Sequence, residues 1–425
     1  MFGLLLLLQV TATDSLPRIT LDEALRRSLR SDPEYVAAEG AVGSASWARR
    51  AAWSAMFLPT INATSNASKF STPQFNFGTG LQQDVAVSAQ VDARYDLFLG
   101  GRKMAELRRS RAELQRAQAR ELEERYDAGF RTERDYYNVL AQQELDRVSA
   151  ERVRRAREQM VVARARVLSG AAVATDSLQL MLELNEALVE ALRQAVAVRV
   201  SRLQLGRRVG MDGPVQAEPL AESGPGDLPM TLEQAITESK QKGPAVLAAR
   251  AAEQAAGAQV RAQRGFYFPQ LAVTGTSSAF DDRYFPQATT RQSLTLSISV
   301  PVWNNAQREF AIEQAKAQRE VARATRLDVE RGAERDVTFA YEAYNTARAT
   351  VQLRETGLLA ARENFRVQET RYKAGATPIL DLLAAQLQLT EAESNLVQAR
   401  FATRLALAEL EVLLGRRLFN DRITP

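Results

Sequence analysis

The 425 residues contain no cysteine and no histidine. Those two absences exclude thiol nucleophiles, disulfides, imidazole bases and the commonest zinc ligands. Any catalysis would rest on carboxylates, serine or lysine, and no such constellation stands out. No catalytic residue, metal or cofactor is therefore expected. Strong net charge is also lacking, at +4. Arginine and glutamate alternate through helical stretches rather than clustering, which argues against nucleic acid as a partner. Long hydrophobic runs are absent beyond the N-terminus, where Met1 to Ala12 is short and apolar. Val10 and Ala12 are placed like a small-residue cleavage site, so residues 1–12 are expected to be a signal peptide. Nothing else approaches the ~18 apolar residues that a membrane helix needs. A membrane position would have to be reached some other way.

What is there is a repeat. Gly170-Ala-Ala-Val-Ala-Thr-Asp176 returns as Gly375-Ala-Thr-Pro-Ile-Leu-Asp381. Ile19-Thr-Leu-Asp-Glu-Ala-Leu25 returns as Met230-Thr-Leu-Glu-Gln-Ala-Ile236, and Leu205-Gly-Arg-Arg208 as Leu414-Gly-Arg-Arg417. Thr20 and Thr231 are placed as N-caps, with Glu23 and Gln234 three residues on to complete capping boxes. Pro33 and Pro244 follow at equal distances and should each end one short helix and open another. The expected organisation is a first repeat over 13–217, a linker over 218–229, a second repeat over 230–418 and a tail over 419–425.

Within each repeat the apolar period changes from helical to two. Val85, Val87, Ala89, Val91, Ala93, Tyr95 and Leu97 alternate with polar residues, as do Leu294, Leu296, Ile298, Val300 and Val302. Weaker strands precede them at 61–70 and 271–280, giving β-hairpins over 61–98 and 271–303 with polar loops at 71–84 and 281–293. Strands of about ten residues with one apolar face have the length and alternation of transmembrane β-strands. Aromatics bracket them: Phe57, Phe98, Phe266, Tyr267, Phe268 and Trp303 at one end, and Phe70, Phe75, Phe77, Phe280, Tyr284 and Phe285 at the other. Two such belts suit the two interfaces of a bilayer.

Neither 102–168 nor 306–372 contains a proline. At ~1.5 Å per residue each would make a helix on the order of 100 Å long, which must lie against other helices throughout. Val153, Ala156, Met160, Ala163 and Val167 step by three and four residues, as a coiled-coil seam does. Return helices to 205 and 414 complete helical hairpins over 102–205 and 306–414. Four strands cannot close a barrel, and open edges in lipid leave backbone groups unpaired at several kcal/mol each. Several copies around an axis are required, and a polar inner face favours three over two.

This order of elements resembles the TolC-type outer membrane factor family, most specifically at Tyr372-Lys-Ala-Gly-Ala-Thr-Pro-Ile-Leu-Asp381 and Val173-Ala-Thr-Asp176. The resemblance implies a fold that is mainly α with a β-barrel part. A homotrimer would form a twelve-stranded barrel in outer-membrane lipid, continuous with a helical tunnel. It implies an efflux or secretion duct partnered by a periplasmic adaptor and an inner-membrane transporter. Asp381 matches a pore-lining acid, and Tyr372 and Asp176 match partners holding hairpins shut; Thr175 and Thr377 would complete the constriction. Where the family's best-known pattern has a second acid and an arginine, this chain has Ala384 and Thr377. The tip residues Val167, Leu168, Ser169, Gly170, Ala171, Ala374, Gly375 and Ala376 are the expected adaptor-docking surface, the small ones among them permitting close packing. The rival is a periplasmic adaptor or coiled-coil scaffold without a pore. Cargo and pump class are not legible.

Overall fold

The computed structural model describes residues 16–76, 80–219, 226–281 and 289–419. The expected signal peptide, most of the tail, the middle of the linker, and Phe77, Tyr284 and Phe285 lie outside them. In chain order the elements are β1 (Arg18–Ile19), α1 (Leu21–Ser31), α2 (Pro33–Phe57), β2 (Thr60–Asn76), β3 (Leu81–Leu99), α3 (Arg102–Leu168), α4 (Ala174–Arg208) and β4 (Gln216–Ala217). The second half continues with α5 (Leu232–Lys242), α6 (Pro244–Arg264), a 3-10 turn (Gly265–Tyr267), β5 (Gln270–Asp281), β6 (Thr289–Ser299), α7 (Gln307–Lys373) and α8 (Ile379–Leu414). Among the described residues no helix is long and apolar enough to cross a membrane.

The two prolines open α2 and α6 as expected. The capping boxes differ. Thr231 and Gln234 exchange both bonds, Gln234 N donating to Thr231 Oγ1 and Thr231 N to Gln234 Oε1. In the first copy only Glu23 N to Thr20 Oγ1 forms, because the Glu23 carboxylate pairs with Arg27 one turn on. A full arginine charge one turn away outcompetes a single backbone N–H.

The chain forms two compact units, each drawn from both sequence halves. One comprises residues 38–121 and 245–330 and holds a four-stranded sheet in the order β2-β3-β5-β6. Its antiparallel register places Ile61, Ala93, Gly275 and Leu294 in one row, with Tyr95, Val273 and Leu296 beside them. The opposite face carries the rows Asn62–Asp92–Thr276–Ser293 and Thr64–Gln90–Ser278–Arg291. Thr276 Oγ1 donates to Asp92 Oδ1 at 2.7 Å, and Gln90 Nε2 donates to the same carboxylate. One face is apolar and one is hydrogen-bonded. The strands are longer than alternation indicated. β2 reaches Asn76, β3 starts at Leu81 and β6 at Thr289, so most of the expected first loop is ladder. Backbone pairing carries these Gln, Asn and Thr residues whatever their side-chain pattern. At the other end β6 stops at Ser299, before Pro301, which has no N–H to donate. Trp303 therefore lies outside the strand.

A β-bulge changes the end of β3. Asp96 pairs with Ala272 and Phe98 with Leu271, so Leu97 is the extra residue. The shift puts Phe98 in the apolar row and turns Leu99 to the polar side, opposite Gln270.

The other unit comprises residues to 37, 122–244 and 331 onward. β1 and β4 pair in parallel there, which the sequence did not suggest. Ile19, Ala24, Leu25, Tyr136, Leu140 and Leu205 bury together around that pair. A matching cluster of Val337, Tyr344, Leu407, Leu410 and Leu414 serves the second repeat. The repeated Leu-Gly-Arg-Arg ends each return helix with a buried ion pair. Arg208 meets Asp135 at 2.9 Å and Asp32 at 3.3 Å; Arg417 meets Glu411 at 2.6 Å and Glu133. Burial alone would lower the Arg417 pKa, but the two carboxylates outweigh it and push it further up. Glu133 and Glu411 are each 1% exposed at the side chain, so these pairs are fully committed. Removing one partner of such a pair costs about 3–5 kcal/mol, because the other charge stays buried.

Candidate gate at the helix tips

The two hairpin tips are built alike. Gly170 and Gly375 adopt φ of +75° and +78°. Gly170 N donates to Val167 O and Ala171 N to Arg166 O; Gly375 N donates to Tyr372 O and Ala376 N to Arg371 O. Each is a Schellman motif, the standard ending of a helix at a left-handed glycine. Asp176 and Asp381 then sit in the first turns of α4 and α8, where the helix dipole favours an acid.

The copies diverge in what these groups touch. Tyr372 Oη donates to Asp176 Oδ2 at 3.5 Å, so the expected pair is brought together, at the long limit of a hydrogen bond. Thr377 Oγ1 donates to Asp381 Oδ2 at 2.6 Å. Asp381 is exposed while Thr377 is buried, so the threonine holds the acid locally. Thr175 is exposed beside the half-buried Asp176. Of the docking residues, Val167 is half-buried; Leu168, Ser169, Gly170, Ala171, Ala374, Gly375 and Ala376 are exposed.

Tyr372 is buried with Met160, Ala163, Leu180, Ile379 and Leu382, so one apolar cluster joins the tips of both hairpins. Burial raises the tyrosine pKa, and the charge of Asp176 raises it further. The hydroxyl therefore stays protonated and able to donate. The expected seam holds: Val153, Ala156, Met160 and Ala163 are buried and Val167 half-buried, with Leu184, Ala187, Leu188 and Ala191 of α4 packed on it.

Sequence reasoning missed Arg166. Its guanidinium lies over the Tyr372 ring, 4.7 Å from the centroid, donates to the Tyr372 carbonyl, and donates to Ala171 O at 3.1 Å. A Cβ on Gly375 would come within 3.2 Å of the same guanidinium, whereas one on Gly170 would meet nothing within 4 Å. A cation–π contact contributes about 0.5–2 kcal/mol and a charged hydrogen bond about 1.5–3 kcal/mol. The Tyr372–Asp176 bond also meets a charge, but at 3.5 Å it is at the long limit and contributes less, so Arg166 and not that pair dominates the junction. Further from the tips, Arg152 and Gln386 both reach Glu183, and Arg155 reaches Glu393 at 2.9 Å, again joining the two hairpins. The repeat held one clue to this asymmetry: Arg166-Val167 aligns with Arg371-Tyr372, and only the second carries the ring.

The residue profile of the outer membrane efflux protein family matches residues 24–210 and 235–416. The outer membrane efflux protein BepC of Brucella suis is 27% identical over 191 residues, covering 44% of this chain and 42% of that protein. That match spans less than half of its relative. The pyoverdine export outer membrane protein OpmQ of Pseudomonas aeruginosa is 25% identical over 431 residues, covering 95% of this chain and 86% of that protein. The crystal structure of the Campylobacter jejuni CmeC outer membrane channel superposes with a TM-score of 0.80 at 13% identity, covering 95% of this chain and 87% of that one.

Proposed function

The chain belongs to the outer membrane efflux protein family and is an outer-membrane protein, and from that footing we propose that it is the exit duct of a tripartite export system. The observation that carries this reading is the sheet. β2 and β6 are both edges, and the apolar face is exposed, with Ile61, Leu294, Leu296 and Ile298 each more than half accessible. Such a sheet is costly in lipid unless its edges meet other edges. Three copies supply twelve strands, with the Asn, Thr, Gln, Asp and Arg rows facing a wet lumen and the apolar rows facing lipid.

On this reading the tips are the periplasmic gate. Asp381 lines the constriction, and the tip residues from Val167 to Ala171 and from Ala374 to Ala376 dock a periplasmic adaptor that couples to an inner-membrane transporter. Opening must break the Arg166–Tyr372 junction. A few kcal/mol holds the closed state by a factor of ten for each ~1.4 kcal/mol, within reach of an adaptor's binding energy. Planar-bilayer recordings test the gate. The wild type should conduct in small, infrequent openings and the Arg166→Gln, Tyr372→Phe double variant in larger, longer ones. No conductance from either, with both correctly inserted, would refute the duct. Bulky substitutions at Gly170 and Gly375 that leave export intact in assembled protein would refute adaptor docking at the tips.

A further inference from the structure

At the foot of the sheet, within the unit of residues 38–121 and 245–330, α2, β3, α3 and α6 line a half-open cavity of about 360 Å³. That volume is in the range of small-molecule sites. Its apolar wall includes Ala52, Leu58, Leu99 and Phe266, and Leu99 reaches it because the bulge at Leu97 turns it to the polar side of the sheet.

Four cations line the same cavity. Arg94 pairs with Asp96 at 3.1 Å, and Arg109 pairs with Glu106 while donating to Gln259. Those two charges are spent. Arg102 and Lys103 instead stack on rings: the guanidinium 4.0 Å from the Phe266 centroid and the ammonium 4.2 Å from that of Tyr95. Among the described residues neither meets a carboxylate. The backbone is shaped for this arrangement, since a Cβ on Gly265 would overlap the Arg102 side chain and one on Gly100 would overlap Phe268. A ring orients a cation without neutralising it, so the cavity keeps two uncompensated positive charges beside an apolar wall.

We propose that this cavity binds an anionic amphiphile, its carboxylate or phosphate head on Arg102 and Lys103 and its chain against Leu58, Leu99 and Phe266. The proposal goes beyond the duct reading and stands whether or not the chain exports anything. To test it, the full protein in neutral-detergent micelles is titrated with dodecanoate and with uncharged dodecanol. Wild type should bind dodecanoate at least tenfold more tightly, and Arg102→Gln/Lys103→Gln should lose that preference. Arg108→Gln/Arg111→Gln, outside the cavity, should keep it. Equal binding of both probes by wild type, or an undiminished preference in the folded double variant, overturns the site. If that variant does not fold, Leu99→Trp decides instead: it fills the cavity and leaves the charges, so dodecanoate binding that survives it also overturns the site. Lipid extraction separates two sources of the ligand. Anionic phospholipid retained by wild type and lost from the charge variant assigns the membrane. Its absence, with dodecanoate still bound, assigns a soluble amphiphile.

Discussion

Arg166 illustrates how a single side chain can redistribute a junction. The Tyr372 hydroxyl and Asp176 carry the recognisable pairing, yet their 3.5 Å contact is weak beside the guanidinium on the tyrosine ring and carbonyl. Tyr372→Phe alone should therefore change tip opening little, whereas Arg166→Gln should raise amide exchange at residues 371–376 by tenfold or more. Equal effects, or a larger one from Tyr372→Phe, would contradict that ranking. Asp32 gives a pH-dependent counterpart. Burial would raise its pKa, but the Tyr35 and Glu34 amides and Arg131 outweigh burial and hold the carboxyl below its usual range. A depressed carboxylate contributes stability that is complete above the unfolded value of about 4 and is lost as pH falls through the folded value. The denaturation midpoint of Asp32→Asn should sit below wild type at pH 7, and the gap should narrow progressively as pH falls below about 4. Arg417→Leu should lose about 3–5 kcal/mol at any pH where Glu133 and Glu411 stay charged. A loss under 1 kcal/mol in denaturant titrations would mean the pair is not structural.

At the scale of elements, the entries to α3 and α7 show what the repeat preserved. Both long helices are 67 residues, and both begin after two consecutive left-handed residues. The first copy uses Gly100 and Gly101, with φ of +62° and +77°; the second uses Asn305 and Ala306, at +56° and +59°. Alanine pays about 1–2 kcal/mol for that conformation. Ala306→Gly should relieve about 1 kcal/mol and raise the thermal midpoint, and an unchanged or lower midpoint would place the strain elsewhere. Much at this scale was legible in the sequence: prolines opened α2 and α6, glycines ended α3 and α7, and the stepping from Val153 to Val167 ran along a packed seam. Strand ends were less so, because backbone ladders through Gln74 and Thr290 leave no alternation to read. The β1–β4 pair is two residues long, too short for any period to show. Arg166 was illegible for another reason: it is one of several arginines near the end of α3, and only packing distinguishes it from Arg164.

At the scale of the whole molecule, surfaces left bare in one chain define what assembly must cover. Trp47, Trp53 and Phe57 of α2 are exposed, and so is a stripe of Leu178, Leu182, Val189, Leu192, Val196 and Leu203 along α4. Its steps of four, seven, three, four and seven residues keep the heptad register of a second coiled-coil seam. On the proposed reading, neighbours of the same chain cover these faces and the two open sheet edges. The absence of cysteine makes the arrangement directly measurable. Single cysteines introduced along one face of β2, such as Ala63→Cys, are paired with single cysteines along the same face of β6, such as Leu296→Cys. In one chain those edges are three strand spacings apart, roughly 14 Å, too far for a disulfide. Oxidation in outer membranes should give a ladder on denaturing gels that ends at three chains, at whichever register brings β2 of one copy beside β6 of the next. A ladder ending at two chains, or no cross-linked product at any register, would contradict the twelve-stranded barrel and with it the duct.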